Sequence, residues 1–483
     1  MKNALLAAAA KKMKWKKNND NDHESDHEQD SSHDSEYGSE YASEYESDEH
    51  LSTDDEDEVS QDVVGQWYNN YIALKYLGRG TFSRVWLVYS FEDGKYYAMK
   101  KIFDEFYEDS KHELSMIKYI NLNKIEDSRL LKTYDMFYID KELCIINELM
   151  GVCVLDLFKD YTDENPPPRK LIKYIVKEIL KGLVELHDKK VVHTDLKEEN
   201  VMINIMSNKI KDFITKIDSM NIKEKYETLL QAEYPEDLDS MNVSKKKKIK
   251  KKGKHRAKTK FTEYIKNELL VPIRKTDNNG LEITELDDIN LDIDLSVEEN
   301  KTINSDFDFN IEKLNELIVK IIDFGNAEKI EDRLQDEIQI RCFRPPENII
   351  NDNYNCASDI WTLGCILFEM LSGNSLFDIE GESESMEKDR EHLHQMYEIL
   401  GKMPRPMTQN CDFSEDLFDK KGHILNNKSC EYTTIKDVLI ENFEFEETDA
   451  QETGEFLKLI FEYDPKKRIS ARECLNHQWL NIT

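Results

Sequence analysis

The sequence predicts an α+β protein, β-prone in its first part and helical after it, with an acidic tail in front and a long low-complexity stretch inside the helical part. Three observations carry this. Apolar, β-prone runs recur between residues 71 and 147, at Tyr71–Leu77, Val85–Tyr89, Tyr96–Ile102 and Leu143–Asn147, with turn signals between them. The stretch Lys170–His187 instead places apolar residues at 171, 172, 175, 176, 179, 180 and 183, the rhythm of a helix with one buried face. Only 39% of the 483 residues are hydrophobic while 34% are charged, so a sizeable part lies outside any core. Composition marks off a disordered acidic tail over 1–64 and a low-complexity insertion over 206–317.

The tail carries 19 Asp/Glu and no Lys/Arg between residues 19 and 62, around a Ser-Glu-Tyr repeat at 35, 39 and 43. Such a segment cannot bury enough apolar area to offset its ordering entropy, and its serines are plausible phosphate acceptors. The net charge of −33 stays strongly negative without the tail, which argues against a nucleic-acid binder and for cationic partners. The eight cysteines are scattered without a C-x-x-C pair, as fits a reducing compartment, cytoplasmic or nuclear. No apolar run approaches the length of a membrane span, and Ala4–Ala10 is followed by lysines rather than a cleavage site. The insertion holds 11 Lys/Arg in the 16 positions from Lys245 to Lys260 and an acidic run from Glu282 to Glu299. Solvated disorder is the expectation for both blocks, with a helix over 261–273 between them; a nuclear-import signal is the functional reading of the basic one.

The chemistry concentrates at His193-Thr194-Asp195-Leu196-Lys197-Glu198-Glu199-Asn200, between the 170–187 helix and a short strand, Val201–Ile203. An acid, a cation and an amide at i, i+2 and i+5 can face one cavity. Phosphoryl transfer needs that set: Asp195 to accept a hydroxyl proton, Lys197 for the transferring phosphate, and the Asn200 oxygen for Mg²⁺. Upstream, Leu77-Gly78-Arg79-Gly80 joins two strands, and glycines there let backbone amides approach phosphate oxygens. A tight hairpin explains two glycines equally well. Lys100 lies in the apolar run of the third strand, where an unpaired ammonium is costly, so it needs a partner; the helical stretch from Ser110 offers Glu113. Downstream, the strand Ile318–Ile322 runs into Asp323-Phe324-Gly325.

In this order the motifs resemble eukaryotic protein kinases: the catalytic loop H-R-D-x-K-x-x-N, the glycine loop, the lysine of V-A-I-K, D-F-G, A-P-E (here Arg344-Pro345-Pro346-Glu347) and D-x-W-x-x-G (Asp359–Gly364). The resemblance implies a bilobal kinase fold, with a small lobe over 65–150 and a large lobe over 151–205 and 318–483, and an ATP- and Mg²⁺-dependent protein serine/threonine kinase. Asp195 and Lys197 are then catalytic, and Asn200 and Asp323 hold the metal. Lys100 with Glu113 positions the phosphates under Gly78 and Gly80. The hinge Glu148-Leu149-Met150-Gly151, with Leu77, Val85, Ala98 and Met202, encloses the adenine. Glu347 pairs with Arg468 as a structural ion pair.

Finer features are similar to the SR-protein kinase family, which acts on Arg/Ser-rich proteins: Thr194 in place of arginine, Asp323-Phe324-Gly325-Asn326-Ala327, the position of the insertion, and the segment Cys474–Leu480. That likeness implies basic Arg/Ser-rich protein substrates met by a docking groove containing Glu391 and Glu398, in a monomer without membrane or direct nucleic-acid partners. Glu391-His392-Leu393 and Ile399-Leu400-Gly401 also fit the LAMMER-type dual-specificity kinases, the alternative reading; a kinase-fold scaffold with little catalysis is the other. Between Gly325 and Pro345 there is no Ser, Thr or Tyr, so activity without activation-loop phosphorylation is expected. Four positions depart from the family pattern: Ile340 stands where a threonine bridges base and lysine, Glu198 and Pro345 replace proline and alanine, and Asn147 borders the nucleotide pocket.

Overall fold

The computed structural model describes residues 63–120, 127–159, 161, 166–270, 311–332, 335, 337–350, 354–379, 385–425 and 432–481, and the backbone of 272–276 and 282–286. The expected tail disorder and most of the acidic run lie outside these residues.

The small lobe is a six-stranded antiparallel sheet in the order β1 (Trp67–Tyr68), β2 (Tyr71–Gly80), β3 (Ser83–Ser90), β4 (Tyr96–Ile102), β6 (Glu142–Glu148), β5 (Thr133–Ile139). Gly80 pairs with Ser83, so β2 and β3 join through Thr81-Phe82 alone. Alternation assigns the two faces. Trp86, Met99 and Ile146 sit opposite one another and are fully buried on one face. Val85 opposite Lys100, and Ala98 opposite Asn147, share the other. Helix α1 (Tyr107–Ile120) buries Ser110, Glu113, Ile117 and Ile120 along one stripe, which brings Glu113 to the lysine-bearing face.

The other face is where expectation and structure part. Residues 208–269 are not disordered: they form α3 (Asn208–Ser219), α4 (Ile222–Ala232) and the long α5 (Val243–Leu269). Phe213, Ile217, Tyr226, Ala257, Phe261, Ile265 and Leu269 join Trp86, Met99 and Ile146 in one apolar cluster. Every fourth residue of α5 is buried, from Gly253 through Ala257, Phe261 and Ile265 to Leu269. A Cβ on Gly253 would lie 2.8 Å from the Tyr234 ring, so only glycine lets the two helices meet this closely. Thr262 Oγ1 donates to the Gly65 carbonyl at 2.7 Å, and Tyr96 Oη donates to Asp218 at 2.6 Å. The charge run hid this stripe, because lysine is a good helix former and its residues occupy the three remaining sides. Beyond α5, β9 (Pro272–Thr276) and β10 (Glu282–Leu286) pair as a hairpin, so the helix expected over 261–273 is the end of α5 and no further.

The large lobe is built on α2 (Arg169–Asp188), started at Pro168 and buried along Leu171, Ile175, Ile179, Leu183 and Leu186. Burying each such side chain is worth about 1.5–3 kcal/mol. α6 (Ala357–Ser372) packs against α2, α9 (Glu447–Ile460) packs on α6 and on α8 (Ile435–Phe443), and α7 (Ser385–Leu400) packs on the short helix Pro346–Ile349. Four two- or three-residue strands frame the segment 193–200. Before it, β7 (Val191–Val192) pairs with β12 (Glu328–Lys329); after it, β8 (Val201–Ile203) pairs with β11 (Val319–Ile321). The ladders clamp both ends of the loop and lead β11 past Asn200. The insertion enters after β8 and returns before β11.

Candidate active site

The loop 193–200 is fixed from below by one buried carboxylate. Asp359, at the start of α6, accepts from the His193 amide at 3.0 Å, the Thr194 amide at 3.3 Å and the His187 ring at 2.9 Å. His193 is fully buried: its Nε2–H donates to the Ile322 carbonyl at 2.9 Å, while Nδ1 accepts from the Asp195 amide at 3.3 Å. These two bonds require the Nε2-protonated ring. Thr194 adopts φ +65°, costly for a β-branched side chain. Its hydroxyl donates to the Asn326 carbonyl at 2.5 Å, and its own carbonyl accepts from the Gln339 amide at 2.8 Å. Strain of this kind costs about 1–3 kcal/mol and persists where surrounding bonds over-determine it, as here.

The polar residues expected to act together meet. Asn200 Nδ2 donates to the Asp195 carbonyl at 2.8 Å and to its carboxylate at 3.1 Å, which leaves the Asn200 amide oxygen for another partner. Lys197 Nζ lies 3.4 Å from the same carboxylate. The Ile322 amide donates to the Asn200 carbonyl at 2.9 Å, bringing Asp323 beside the loop; Asp323 takes φ +62°. Lys100 bridges the two lobes, donating to Glu113 at 2.9 and 3.1 Å and to Asp323 at 2.9 Å. Burial alone would lower the Lys100 pKa, but Asp323 and Glu113 hold it above its ordinary value. Asp323 is lowered, since the Lys100 charge and hydrogen bond outweigh burial, whereas burial keeps Glu113 raised. The donor set fits a divalent cation and a polyphosphate: one carboxylate, one amide oxygen and a buried ammonium around a single opening. A Cβ at Gly78 would meet nothing within 4 Å, so the backbone there is open to approach.

Around this cluster Leu77, Val85, Ala98 and Met202 are half-buried on the cleft side, and Met150 is buried. Glu148 turns its side chain away, accepting from the Lys132 amide and from Lys320, each at 2.6 Å, so only its backbone serves the hinge. Asn147 Oδ1 accepts from Thr133 at 2.8 Å, a bond that accounts for a polar residue there. Gly151 closes the hinge, and the backbone around it leaves room only for glycine. A Cβ there would lie 1.8 Å from the Ile205 carbonyl oxygen, and its amide donates to Ile203 at 2.7 Å. Glu347 and Arg468 lie deep in the large lobe in a two-pronged pair at 2.8 Å, both side chains fully buried. Glu391 and Glu398 sit apart on α7. Glu391 is exposed, while Glu398 has only 13% of its side chain exposed and neighbours His394 at 3.6 Å. Ile340 offers no hydroxyl, and Pro345 rests at φ −75°, ψ 156°, the extended form that a following proline favours.

The comparisons agree with the geometry. The family model described as protein kinase domain matches residues 71–251 and 308–480. The chain is 28% identical over 447 residues to a serine/threonine-protein kinase SRPK of Physarum polycephalum, covering 88% of this chain and 92% of the relative. It is 24% identical over 529 residues to SRSF protein kinase 3 of Homo sapiens, covering 89% and 91%. A crystal structure of a kinase domain superposes with a TM-score of 0.56 at 22% identity, covering 86% of this chain and 97% of the other, a likeness of fold. The chain therefore belongs to the protein kinase family, among relatives named as serine/threonine kinases of the SRPK type.

Proposed function

We propose that this kinase transfers the ATP γ-phosphate to serine or threonine in basic, Arg/Ser-rich protein segments, and that it does so without prior phosphorylation of its activation loop. The observation that carries the phosphotransfer reading is the bridge at Lys100, which joins α1, β4 and the Asp323 segment at hydrogen-bond distance. Asp195 is the base for the acceptor hydroxyl, Lys197 steadies the transferring group, and Asn200 and Asp323 hold Mg²⁺. Bound Mg²⁺ supplies neutralisation of the phosphate charge. Leu77, Val85, Ala98, Met150 and Met202 enclose the adenine, and Glu391 with Glu398 meets substrate arginines through charge-assisted pairing.

Independence from an upstream kinase is supported by the contacts of the described residues between Asp323 and Arg344. Thr194 and Gln335 both donate to the Asn326 carbonyl, at 2.5 and 3.3 Å. Arg344 pairs with Glu337 at 2.9 Å and Arg341 with Asp389 at 2.5 Å. Ordinary side chains thus make the contacts that a phosphate would otherwise organise. Phosphatase-treated recombinant protein should phosphorylate an Arg/Ser peptide in Mg-ATP, and Asp195→Ala should abolish it. Activity that awaits treatment by another kinase ends the second claim, and equal turnover of an acidic peptide ends the substrate claim.

A further inference from the structure

The net charge of −33 is a sum, and α5 is the place where it misleads. Of the 11 Lys/Arg between Lys245 and Lys260, four are used by the fold. Lys246 pairs with Asp239, Arg256 and Lys260 pair with Glu233, and Lys258 donates to the Asn69 carbonyl at 2.7 Å and lies 4.1 Å above the Trp67 ring. The other seven, running from Lys245 to Lys254, are all exposed and form no ion pair among the described residues. The helix is anchored through Gly253, Ala257 and Phe261, so these lysines are displayed on a rigid rod rather than on a flexible loop.

Three features make this more than a solvated face. Solvated helix faces ordinarily mix signs, whereas Lys247/Lys251, Lys248/Lys252 and Lys250/Lys254 are like charges one turn apart, each pair weakening the helix. At 1.5 Å rise per residue, seven charges over nine steps give roughly one charge per 2 Å of helix axis, spread over the sides turned away from the buried stripe, a density of the order of the ~1.7 Å per charge of a nucleic-acid duplex. The stretch from Lys245 to Lys254 contains no aromatic residue, no arginine and a single apolar side chain, Ile249, which is half-buried. Protein hot spots are enriched in aromatic residues and arginine, and amphipathic membrane helices use an apolar face; phosphate contacts need neither.

We propose that this face of α5 binds the phosphate backbone of nucleic acid without regard to sequence. The acidic remainder of the body confines contact to the rod, because repulsion is screened beyond a Debye length of about 8 Å. The proposal stands apart from the kinase reading and survives its failure.

The test is fluorescence anisotropy of the full chain with labelled short duplexes of two unrelated sequences, between about 50 and 200 mM salt. The two duplexes should bind alike, with log K falling against log salt at a slope of about −4 to −6. A variant carrying Lys247→Gln, Lys248→Gln, Lys251→Gln and Lys252→Gln should bind at least about tenfold more weakly and lose about three to four units of slope. Its melting temperature should not fall, and its peptide phosphorylation should be unchanged. No binding at low salt, binding unaltered in the variant, or stronger binding by a polyglutamate peptide or anionic vesicles at equal charge would each overturn the proposal.

Discussion

Glu198 is the residue whose perturbation the structure predicts in most detail. It follows the loop lysine, is 6% exposed, and its Oε1 has no hydrogen-bond partner among the described residues. Burial, then the charge of Glu369 on α6, push its pKa from 4.5 up to about 8, with Glu199 adding to the rise and a backbone bond opposing it. The thiols of Cys342 and Cys365, held in protonated form by their own burial, complete its electrostatic surroundings. Below pH 4.5 the carboxyl is protonated in folded and unfolded chains alike and costs nothing. Between 4.5 and about 8 only the folded chain keeps the proton, so stability falls as pH rises; above about 8 the full penalty is in place. At 1.36 kcal/mol per pH unit the gap is worth at most roughly 5 kcal/mol, and relaxation around the buried charge brings it to about 2–5. Glu198→Gln removes the ionisable proton at nearly constant shape. Thermal melts of the two proteins should therefore nearly coincide at pH 5 and separate by several degrees at pH 9, the variant melting higher. Because the Glu369 charge repels Glu198, Glu369→Gln should lower the folded-state Glu198 pKa, so that the loss ends at lower pH and the total pH dependence shrinks. Melting curves that stay parallel across the whole range would refute the reasoning.

Three further outcomes follow from the geometry. Ile340→Thr places a hydroxyl where the family bridges Asp195 and Lys197, and kcat should rise several-fold with little change in the KM for ATP, read by steady-state kinetics. Glu347→Gln leaves Arg468 fully buried with half its pairing lost, and should cost about 3–5 kcal/mol in denaturant unfolding of the large lobe. Gly151→Ala drives a Cβ into the Ile205 carbonyl, so nucleotide-analogue binding should weaken by at least an order of magnitude even where circular dichroism is unchanged.

Much of the site could be read from the chain because phosphotransfer chemistry is local in sequence. Asp195, Lys197 and Asn200 occupy six consecutive positions, and Lys100 and Asp323 each end or cross a short apolar strand. Spacing and residue type sufficed for these, and Lys100 announced its need for Glu113 because a lone ammonium in an apolar strand is unfavourable. The insertion was not legible in the same way. Its buried stripe is five small or apolar residues at every fourth position of α5, overlaid by a charge density that reads as disorder when composition alone is weighed. Whether that stripe folds depends on a surface to meet, and the surface is the outer face of a sheet more than a hundred residues away. The motifs name Gly151 and Thr194 but not their backbone roles, since a close approach and a left-handed backbone appear only when the partner segments are in place.

The sequence by itself determined the reaction class and the identity of the polar groups, since each rests on short-range pattern or on residue chemistry. Only the tertiary structure decided that α5 is a rigid cationic rod, that Glu198 is buried beside a second acid, and that ordinary hydrogen bonds hold the loop after Asp323. Burial and proximity between distant segments set these, and neither is a property of any stretch of chain taken alone.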